Sequence, residues 1–560
     1  MSWLLTITST HDSSVCLSKD NEIVYYCQEE RLTHKKSDNE PFHALDRVKD
    51  YTDYVDKVAV SFIHNESMHC EYIFKYLRKI GVNCIKELAE PLNHHLSHAA
   101  LGFVNSGFED AVVVVVDGAG SEFYENPEVE DRNLIKEVET VFSMDKKNLV
   151  EISKSFIGNY NQVDPFEIVE KKIPKRLGAG MIYESMSSYL GFQGSQGCGK
   201  VMGLSSYGEK EFSDSLPRFL DYKTGGNSRL FHQHTLKKVG TTCINFNINN
   251  ILPNTSDYQE DSGKQFWLAS CYARRLQEDF EEYVYQLVSK SIETSGRKNV
   301  VLSGGAFLNC VSNFKLRKRL PEDINLFCEP VCGDDGISIG MQYILSNQKV
   351  KKLETLYIGN RLEYNYELLY GEYDKKITVK EVAKLLSEGN LVAVAQGNSE
   401  AGPRALGNRS ILFNPGLKEG NLIVNKVKKR EGWRPFAGTV LLENAHEWFE
   451  MDSLKESPFM TYAIDVIPEK IEQIKSIVHV NDTCRIQTLK KESNPNYYEL
   501  ISEFNNITGV PIIGNTSFNL AGDTIVDNMD DALSTLRNSD LEYLYLPEIE
   551  KLICVPNTHK

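Results

Sequence analysis

Three histidines within five residues, His94, His95 and His98, have the types and spacing in this sequence most suited to chemistry. On a helix, His94 and His98 lie one turn apart on one face and can bind one cation, whereas His95 points about 100° away. A buried strand predicted for residues 111–116 would deliver Asp117 at its carboxyl end, where the sites of open α/β sheets form. Spacing alone leaves open that the histidines cap a surface helix, but Asp117 favours a metal site.

Asp334 is a second carboxylate suited to this site, because it lies in the tight turn Gly333-Asp334-Asp335-Gly336 after a strand predicted over residues 325–328. With His94, His98 and Asp117 it would complete a set of two imidazoles and two carboxylates. Such nitrogen and oxygen ligands suit iron(II), manganese or zinc. The sequence therefore predicts a divalent metal site, for which we favour iron(II).

Two glycine-rich stretches could bring the backbone close to a nucleotide phosphate. A strand over residues 299–302 leads into Gly304-Gly305 and then Asn309, which is typical of a close-approach site. In residues 197–204, glycines flank Lys200, although the spacing does not match a Walker A loop. The candidate nucleotide-binding residues here are Lys200, Gly304, Gly305 and Asn309.

The chain opens with a small antiparallel sheet, predicted as strands over residues 3–9, 14–17 and 23–28. The polar loop Thr10-His11-Asp12-Ser13-Ser14 follows the first strand. Actin-like ATPases hold phosphate with a short-loop hairpin at the start of an α/β domain, but small polar residues fill most turns. His11 could equally be a hydrogen-bonded turn residue.

The coarser elements between these motifs follow from hydrophobic periodicity. The pattern predicts helices over residues 71–80, 181–190 and 265–294, and a strand over residues 58–61. Residues 125–174 are charged and are predicted to be an irregular elaboration of the core. The basic stretch 171–176 at its end is predicted to be a solvated loop, with a nucleic-acid contact as the alternative.

The second half of the chain is rich in arginine and lysine within short polar turns. A polar linker predicted over residues 346–355 precedes it, and a helix over residues 380–388 and a strand over residues 391–395 begin it. In an acidic protein, such turns predict a pocket for a polyanion. The alternative is dispersed surface arginines, but Arg404 and Arg434 lie beside proline rather than on a polar helix face.

Length and composition restrict the class of protein. A chain of 560 residues is too long for one core, so two or more domains are expected. Its formal charge of −16 argues against a general nucleic-acid or membrane-surface binder. There is no apolar run of membrane-spanning length and no basic segment typical of a signal peptide at the start. The 12 cysteines contain no CxxC pair, so we expect a cytoplasmic protein with free thiols.

Over nearly its whole length the sequence resembles the O-carbamoyltransferases of the nodulation-factor and antibiotic-tailoring type. The motifs that carry the resemblance are, in chain order, His11-Asp12-Ser13, Glu29-Glu30-Arg31, His94-His95-x-x-His98-Ala99, Val116-Asp117-Gly118, Gly199-Lys200-x-Met202-Gly203-Leu204, Ser303-Gly304-Gly305-x-x-Leu308-Asn309, Gly333-Asp334-x-Gly336, Gly402-Pro403-Arg404-Ala405-Leu406-Gly407-x-Arg409-Ser410, Arg434-Pro435-Phe436-Ala437, Arg485-x-Gln487-Thr488 and Asn515-Thr516-Ser517-Phe518-Asn519. So many motifs in the same order make a chance similarity very improbable.

The resemblance implies an α/β fold in two domains. Residues 1–350 would form an actin-like (ASKHA) ATPase-type domain that binds the metal and transfers the carbamoyl group. Residues 351–560 would form an α/β domain that resembles the carbamoyl-adenylate-forming (YrdC-like) fold and binds carbamoyl phosphate and ATP.

The resemblance also implies roles for individual residues. His94, His98, Asp117 and Asp334 match the family's metal ligands. The positions that would hold carbamoyl phosphate and nucleotide are Arg404, Lys428, Arg434, Arg485, Asn515 and Ser517. Lys426 and Lys429 compete with Lys428 for its role.

The implied reaction has two steps. Carbamoyl phosphate and ATP, the latter with Mg²⁺, give carbamoyl-AMP in the C-terminal domain, where arginines such as Arg485 neutralise the developing phosphate charge. In the N-terminal domain the metal polarises this mixed anhydride, and His11, aided by Asp12, accepts the proton of an acceptor hydroxyl. The competing interpretations are an actin-like kinase, a threonylcarbamoyl-type tRNA-modifying enzyme and a non-catalytic nucleotide-binding module.

The sequence is compatible with several kinds of acceptor. Sugar hydroxyls, polyketide hydroxyls and the hydroxymethyl group of a modified nucleobase all present the same nucleophile. The negative charge favours a small molecule, while the basic stretch 171–176 leaves a nucleic-acid acceptor open.

Overall fold

The computed structural model describes residues 2–62, 67–88, 92–124, 134–157, 176–226 and 260–556. The chain forms two compact units. The first consists of Met1–Tyr25 and Asp38–Glu354, and the second of Tyr26–Ser37 and Thr355–Lys560. The sequence predicts one boundary near residue 350, and the structure additionally assigns the short segment Tyr26–Ser37 to the second unit.

The N-terminal part of the chain builds a mixed five-stranded sheet. Its elements are β1 (Trp3–Thr8), β2 (Ser14–Lys19), β3 (Glu22–Gln28), α1 (Glu29–Thr33), α2 (Phe42–Asp46), β4 (Tyr54–Ser61), α3 (Ser67–Lys79) and β5 (Asn83–Leu88). The strand order is β3-β2-β1-β4-β5, with β1 antiparallel to β2 and parallel to β4. Leu4, Leu5 and Ile7 of β1 are all buried, as expected for a central strand covered on both faces. The predicted three-stranded sheet is thus one side of a larger sheet.

The middle of the chain builds a second mixed sheet. Its elements are α4 (His94–Ser106), β6 (Asp110–Val116), β7 (Glu122–Tyr124), β8 (Leu134–Asp145), β9 (Leu149–Ile157), α5 (Ala179–Tyr189), α6 (Cys198–Ser205), α7 (Lys210–Ser215), β10 (Leu220–Asp221), β11 (Gly225–Gly226), α8 (Glu260–Ser295), β12 (Asn299–Ser303), α9 (Cys310–Arg319), β13 (Asn325–Cys328) and α10 (Ile337–Leu345). The strand order is β13-β12-β6-β8-β7, and β9 also pairs with β8. Strands β10 and β11 pair only with each other.

Both large sheets of the first unit repeat one arrangement. A central strand, β1 or β6, has one antiparallel neighbour, β2 or β8, and one parallel neighbour, β4 or β12. A further parallel strand, β5 or β13, completes the far side of each sheet. This repeated order is that of actin-like ATPases, so the predicted α/β class and actin-like N-terminal fold are confirmed.

The prediction of an irregular region over residues 125–174 is wrong for residues 134–157. These residues form the long hairpin of β8 and β9, and β8 pairs with the whole length of β6. The run Val138-Glu139-Thr140-Val141-Phe142 is β-branched and aromatic, which favours a strand despite the glutamates around it. Residues 158–175, which hold most of the basic stretch, lie outside the described residues, but Arg176 at its end is buried rather than solvated.

The glycine-containing stretch around Lys200 is helical, and the nucleotide role of Lys200 stays a prediction. Lys200 lies within helix α6, which follows directly after the 3-10 turn Gly194–Gly197. A Cβ at Gly197 would lie 2.2 Å from Ser187 Oγ and 2.5 Å from Phe192 Cβ. Close packing, rather than an approach to phosphate, therefore explains this glycine.

The second unit is built on a nine-stranded sheet. Its elements are β14 (Tyr373–Lys376), α11 (Val379–Ser387), β15 (Val392–Ala395), β16 (Arg409–Phe413), α12 (Gly420–Val427), β17 (Ala437–Leu441), α13 (Ala445–Trp448), β18 (Ala463–Asp465), β19 (Thr483–Leu489), α14 (Pro495–Thr508), β20 (Ile512–Ser517), α15 (Met529–Arg537), β21 (Tyr543–Leu546) and β22 (Lys551–Cys554). The strand order is β14-β22-β21-β15-β16-β20-β17-β19-β18.

Both faces of this sheet are covered, which explains why β15 is apolar throughout. Val392 and Val394 join one core cluster with α11 and α14, while Ala393 and Ala395 join another with α15. Alternate residues of a strand face opposite sides, so a strand buried on both faces reads as a continuous apolar run.

Two features predicted from composition can be compared with the described residues. All 11 cysteines in the described ranges are free. Within the same ranges, no helix is both long and apolar enough to cross a membrane.

Candidate functional site

Helix α4 carries the histidine pair. The helix starts at His94, and the Asn93 side chain caps it by accepting a hydrogen bond from Leu96 N at 2.8 Å. The rings of His94 and His98 lie 4.9 Å apart, centre to centre, and both are completely buried. The alternative of a surface capping pair is therefore wrong. His95 points away, as predicted, and its Nδ1 lies 2.8 Å from Thr140 Oγ1.

Two carboxylates converge on this pair. Asp117 directly follows β6, and Asp334 begins the 3-10 turn Asp334–Gly336 that leads into α10. His94 Nε2 lies 3.1 Å from Asp117 Oδ2 and 3.3 Å from Asp334 Oδ1. His98 Nε2 lies 3.8 Å from Asp117 Oδ2 and 3.7 Å from Asp334 Oδ1. One donor atom from each of the four side chains lies within 4.8 Å of all the others.

The chemistry of this set fits a divalent cation. His98 Nε2 is buried without a hydrogen-bond partner in the described residues, and such a polar atom in the interior is costly. Two imidazole nitrogens with two carboxylate oxygens suit first-row divalent metals. Burial opposes the charge of Asp334, but the neighbouring His94 and His11 outweigh it and hold the pKa of Asp334 well below its usual value. The four side chains can thus hold a metal ion.

His11 lies beside this cluster. Its Nε2 is 3.5 Å from Asp334 Oδ2, and its Nδ1 is 2.7 Å from Asp12 Oδ2. The charge of Asp334 raises the pKa of His11 to about 10 against the lowering by burial, and the hydrogen bond to Asp12 adds to the rise. The His11 side chain is 53% exposed, so a reacting group can approach it from solvent.

The double glycine after β12 contacts Asp117. Gly305 N donates to Asp117 Oδ1 at 3.2 Å. At Gly304 the backbone has φ +96°, and a Cβ there would lie 2.4 Å from Val116 O. A close approach of the β6 and β12 ends therefore requires Gly304, and Gly305 orients a predicted metal ligand. The nucleotide role of both glycines stays a prediction.

Asn309 and Lys200 have other partners in the structure. Asn309 caps helix α9 by accepting from Ser312 N at 3.0 Å, and its amide exchanges two hydrogen bonds with Gln277. Lys200 Nζ lies 5.3 Å from the centre of the Phe192 ring. The structure thus gives Asn309 a structural role that the sequence prediction did not include.

Four cationic side chains gather in the second unit, namely Lys428, Arg430, Arg434 and Arg485. Burial lowers the pKa of Arg430 well below its usual value, and the charges of Arg434 and Arg485 lower it further. Burial likewise lowers the pKa of Lys428, with Arg430 and Arg434 adding to the effect. Glu431 offsets part of this charge, with its Oε2 3.7 Å from Arg434 Nη1. Such a concentration of positive charge favours a bound anion.

The structure distinguishes the three candidate lysines. Lys426 and Lys429 are exposed, whereas Lys428 is buried. Lys428 Nζ donates to Ser517 O and lies 3.2 Å from Ser517 Oγ and 2.9 Å from Asn519 Oδ1. Of the three lysines, Lys428 is therefore the one beside another predicted binding residue.

Arg485 and Asn515 lie in one row across the sheet. Ala437 of β17 pairs with Arg485 of β19 on one side and with Asn515 of β20 on the other. Residues in register on neighbouring strands project from the same face. Arg485 Nε and Asn515 Oδ1 are both buried without a hydrogen-bond partner in the described residues. Two predicted binding residues thus present unused polar atoms on one face.

Sequence reasoning missed the residues that hold the loop of Arg404. Buried Glu400 accepts from Leu406 N at 2.7 Å and Asn408 N at 2.9 Å. Arg31, from the segment Tyr26–Ser37, donates to Gly402 O at 2.8 Å. Arg31 lies in the motif Glu29-Glu30-Arg31 and Glu400 lies just before the motif that begins at Gly402, but neither has a spacing that indicates this contact.

Comparison with known proteins agrees with the two-part organisation. The family models described as Carbamoyltransferase N-terminus and Carbamoyltransferase C-terminus match residues 46–342 and 383–551. An uncharacterised protein of Synechocystis is 30% identical over 96% of this chain and 94% of its own length. The nodulation protein NolNO of Sinorhizobium fredii is 29% identical over 96% of this chain and 78% of its own length.

Among solved structures, full-length HypF in the phosphate- and nucleotide-bound form matches 62% of this chain and 46% of its own. Its sequence identity is 16% and the TM-score is 0.33. A likeness this slight carries no argument about function.

Proposed function

Because the chain belongs to the carbamoyltransferase family and is therefore a carbamoyltransferase, we propose that it is an ATP-dependent O-carbamoyltransferase. In the first proposed step carbamoyl phosphate, ATP and water give carbamoyl-AMP, pyrophosphate and phosphate. In the second, an acceptor hydroxyl attacks the carbonyl carbon of carbamoyl-AMP. AMP leaves, the hydroxyl proton is lost, and a carbamate ester forms.

The observation that carries the proposal is the cationic cluster of Lys428, Arg430, Arg434 and Arg485. Arg434 and Arg485 lower the pKa of Arg430, and Arg430 and Arg434 lower that of Lys428, so like charges lie close together here and a bound anion would offset their repulsion. Carbamoyl phosphate and the ATP phosphates are anions of this kind. Planar guanidinium groups bind phosphate in a bidentate manner and stabilise the charge that develops in phosphoryl-type transition states.

The second step is assigned to the first unit. A divalent cation held by His94, His98, Asp117 and Asp334 would supply Lewis-acid polarisation of the carbamoyl carbonyl. His11 would accept the proton of the attacking hydroxyl at Nε2, the ring nitrogen that faces Asp334. Asp12 contacts the other ring nitrogen and so fixes the orientation of the ring.

The acceptor proposed here is a hydroxyl-bearing small molecule, such as a sugar or a polyketide. The net charge of −16 disfavours a polyanionic acceptor, because like charges repel during encounter. The hydroxymethyl group of a modified nucleobase and a threonylcarbamoyl-type tRNA product are the alternatives that the assay must separate.

The test measures pyrophosphate release from ATP with and without carbamoyl phosphate, followed by an acceptor screen by mass spectrometry. We expect release only when carbamoyl phosphate is present, and a product heavier by one carbamoyl group on a small-molecule hydroxyl. Transfer of a phosphoryl group to the acceptor would instead identify a kinase. Modification of tRNA and of no small molecule would favour the tRNA-modifying alternative.

A further inference from the structure

Glu137 of strand β8 is a buried carboxylate that the proposed reaction does not use. Its Oε1 accepts two backbone hydrogen bonds, from His95 N and from Ser121 N, each at 3.1 Å. His95 lies in the first turn of helix α4, whereas Ser121 lies in the turn after Asp117. One carboxylate oxygen therefore joins the two segments that carry His94 and Asp117.

Further contacts tighten this junction. Ser121 Oγ accepts from His94 N at 2.9 Å, so the residue that Glu137 holds in turn holds a predicted metal ligand. The Glu137 backbone also accepts from Gly120 N at 2.8 Å and donates to Ser121 O at 3.2 Å. A Cβ at Gly120 would lie 2.7 Å from Glu137 Cγ and 2.8 Å from His95 Cδ2. The turn, the helix start and the carboxylate are therefore packed without spare room.

Neighbouring positive groups compensate the negative charge of Glu137. Lys154 Nζ of the neighbouring strand β9 is 3.1 Å from Glu137 Oε2. The carboxylate also faces the amino-terminal turn of α4, where the helix dipole favours negative charge. A buried carboxylate with a paired cation and two backbone donors is held in one position.

We infer that Glu137 is a positioning residue for the metal centre, one that holds the start of α4 and the turn 117–121 in a fixed relation so that His94 and Asp117 bind the same cation. Without this link, strand β6 and the hydrogen bond from His94 N to Ser121 Oγ still join the two segments, but no side chain holds both backbones at one point. The inference rests on the proposed function, since it requires the four-residue set to bind a cation. It goes beyond that function because it assigns a role to a residue outside the four-residue set.

Strand β8 offers a matched control in Glu139. Glu139 lies two residues further along the same strand, beyond a β-bulge, and is also buried. Its Oε1 accepts from Ala179 N at 3.2 Å and from Tyr283 OH at 2.5 Å, and neither partner is a predicted metal ligand. Glu139→Ala therefore removes a buried carboxylate from the same strand without removing a bond to the predicted metal ligands.

The experiment measures the dissociation constant for Mn²⁺ by equilibrium dialysis, together with the melting temperature of the metal-free protein. We expect Glu137→Ala to weaken Mn²⁺ binding about ten- to a hundredfold, the usual effect of losing a partner behind a metal ligand. Glu137→Gln keeps an oxygen for both backbone donors and should bind Mn²⁺ nearly as the wild type does. Glu139→Ala should melt at a lower temperature but keep the wild-type dissociation constant.

Two outcomes would overturn the inference, and they differ in what else they overturn. If the wild-type protein binds Mn²⁺ and Glu137→Ala binds it equally well, the positioning role is wrong while the metal site stands. If the wild-type protein binds no divalent cation, the metal site itself is wrong. Should Glu137→Ala fail to fold, Ser121→Ala takes its place, because it removes only the acceptor of His94 N–H and should also weaken binding.

Discussion

Replacing Arg485 by alanine should stop the formation of carbamoyl-AMP. Replacing His94 by alanine should stop only the transfer of the carbamoyl group from carbamoyl-AMP to the acceptor. The two residues belong to different compact units. Arg485, on strand β19, lies near Arg430 and Arg434, whereas His94, on helix α4, belongs to the four-residue set that could hold a metal. If each unit carries one step, the two substitutions should separate the half-reactions.

The magnitude follows from the surroundings of Arg485. In the described ranges its side chain has no hydrogen-bond or ion-pair partner, and its Nε is buried. Its charge is therefore available to a phosphate, for which a preorganised donor is worth about 2–4 kcal/mol, or about 30- to 1,000-fold in rate. The melting temperature should not fall, because the substitution removes repulsion with Arg430 and Arg434 and breaks no described bond.

The assay follows pyrophosphate release from ATP and carbamoyl phosphate, and separately the carbamoylation of acceptor from preformed carbamoyl-AMP. Arg485→Ala should lose the first activity and keep the second, and His94→Ala should do the reverse. Arg537→Ala is the control, since Arg537 lies in the same unit but is paired with Glu372 at 2.7 Å; it should lower stability and leave pyrophosphate release intact. Equal loss of both activities in both variants, with folding intact by circular dichroism, would refute the assignment of one step to each unit.

Three further substitutions test single features of the site. His98→Ala should abolish metal binding and carbamoyl transfer, and elemental analysis that finds full metal content in the purified variant would contradict the ligand assignment. Gly304→Ala places a Cβ 2.4 Å from Val116 O on a backbone with φ +96°, which should cost about 1–3 kcal/mol and lower the melting temperature; an unchanged melting curve would contradict the packing argument. Glu400→Ala removes the acceptor of three backbone N–H groups in the loop of Arg404, so the KM for carbamoyl phosphate should rise, and an unchanged KM would exclude this anchoring role.

Local patterns in the sequence were enough to predict the strongest elements of the site. The i, i+4 spacing of His94 and His98 requires only the helical period, and the valine run of β6 requires only strand propensity and burial. Asp117 follows because the carboxyl end of a buried strand is where an α/β sheet opens. These features depend on neighbouring residues, so no tertiary contact is needed to predict them.

Local sequence pattern is insufficient where the role of a residue depends on its packing in the folded protein. Gly197, one of the glycines near Lys200, is required because Ser187 and Phe192 leave no room for a Cβ, a reason that the sequence does not show. The charged stretch containing Glu137 resembles an irregular elaboration, yet it forms β8 beside β6. In both cases the residue types are ambiguous, and only their neighbours in space resolve the ambiguity.

Tertiary structure alone decided which distant residues meet. Glu137 reaches the start of α4 and the turn after Asp117 because β8 pairs with β6, a register that the sequence of neither strand specifies. The segment Tyr26–Ser37 belongs with the C-terminal unit, although its first three residues are the end of β3 in the N-terminal sheet. The physical reason is that periodicity and propensity act over a few residues, whereas these contacts form only when whole elements bury their apolar faces against each other.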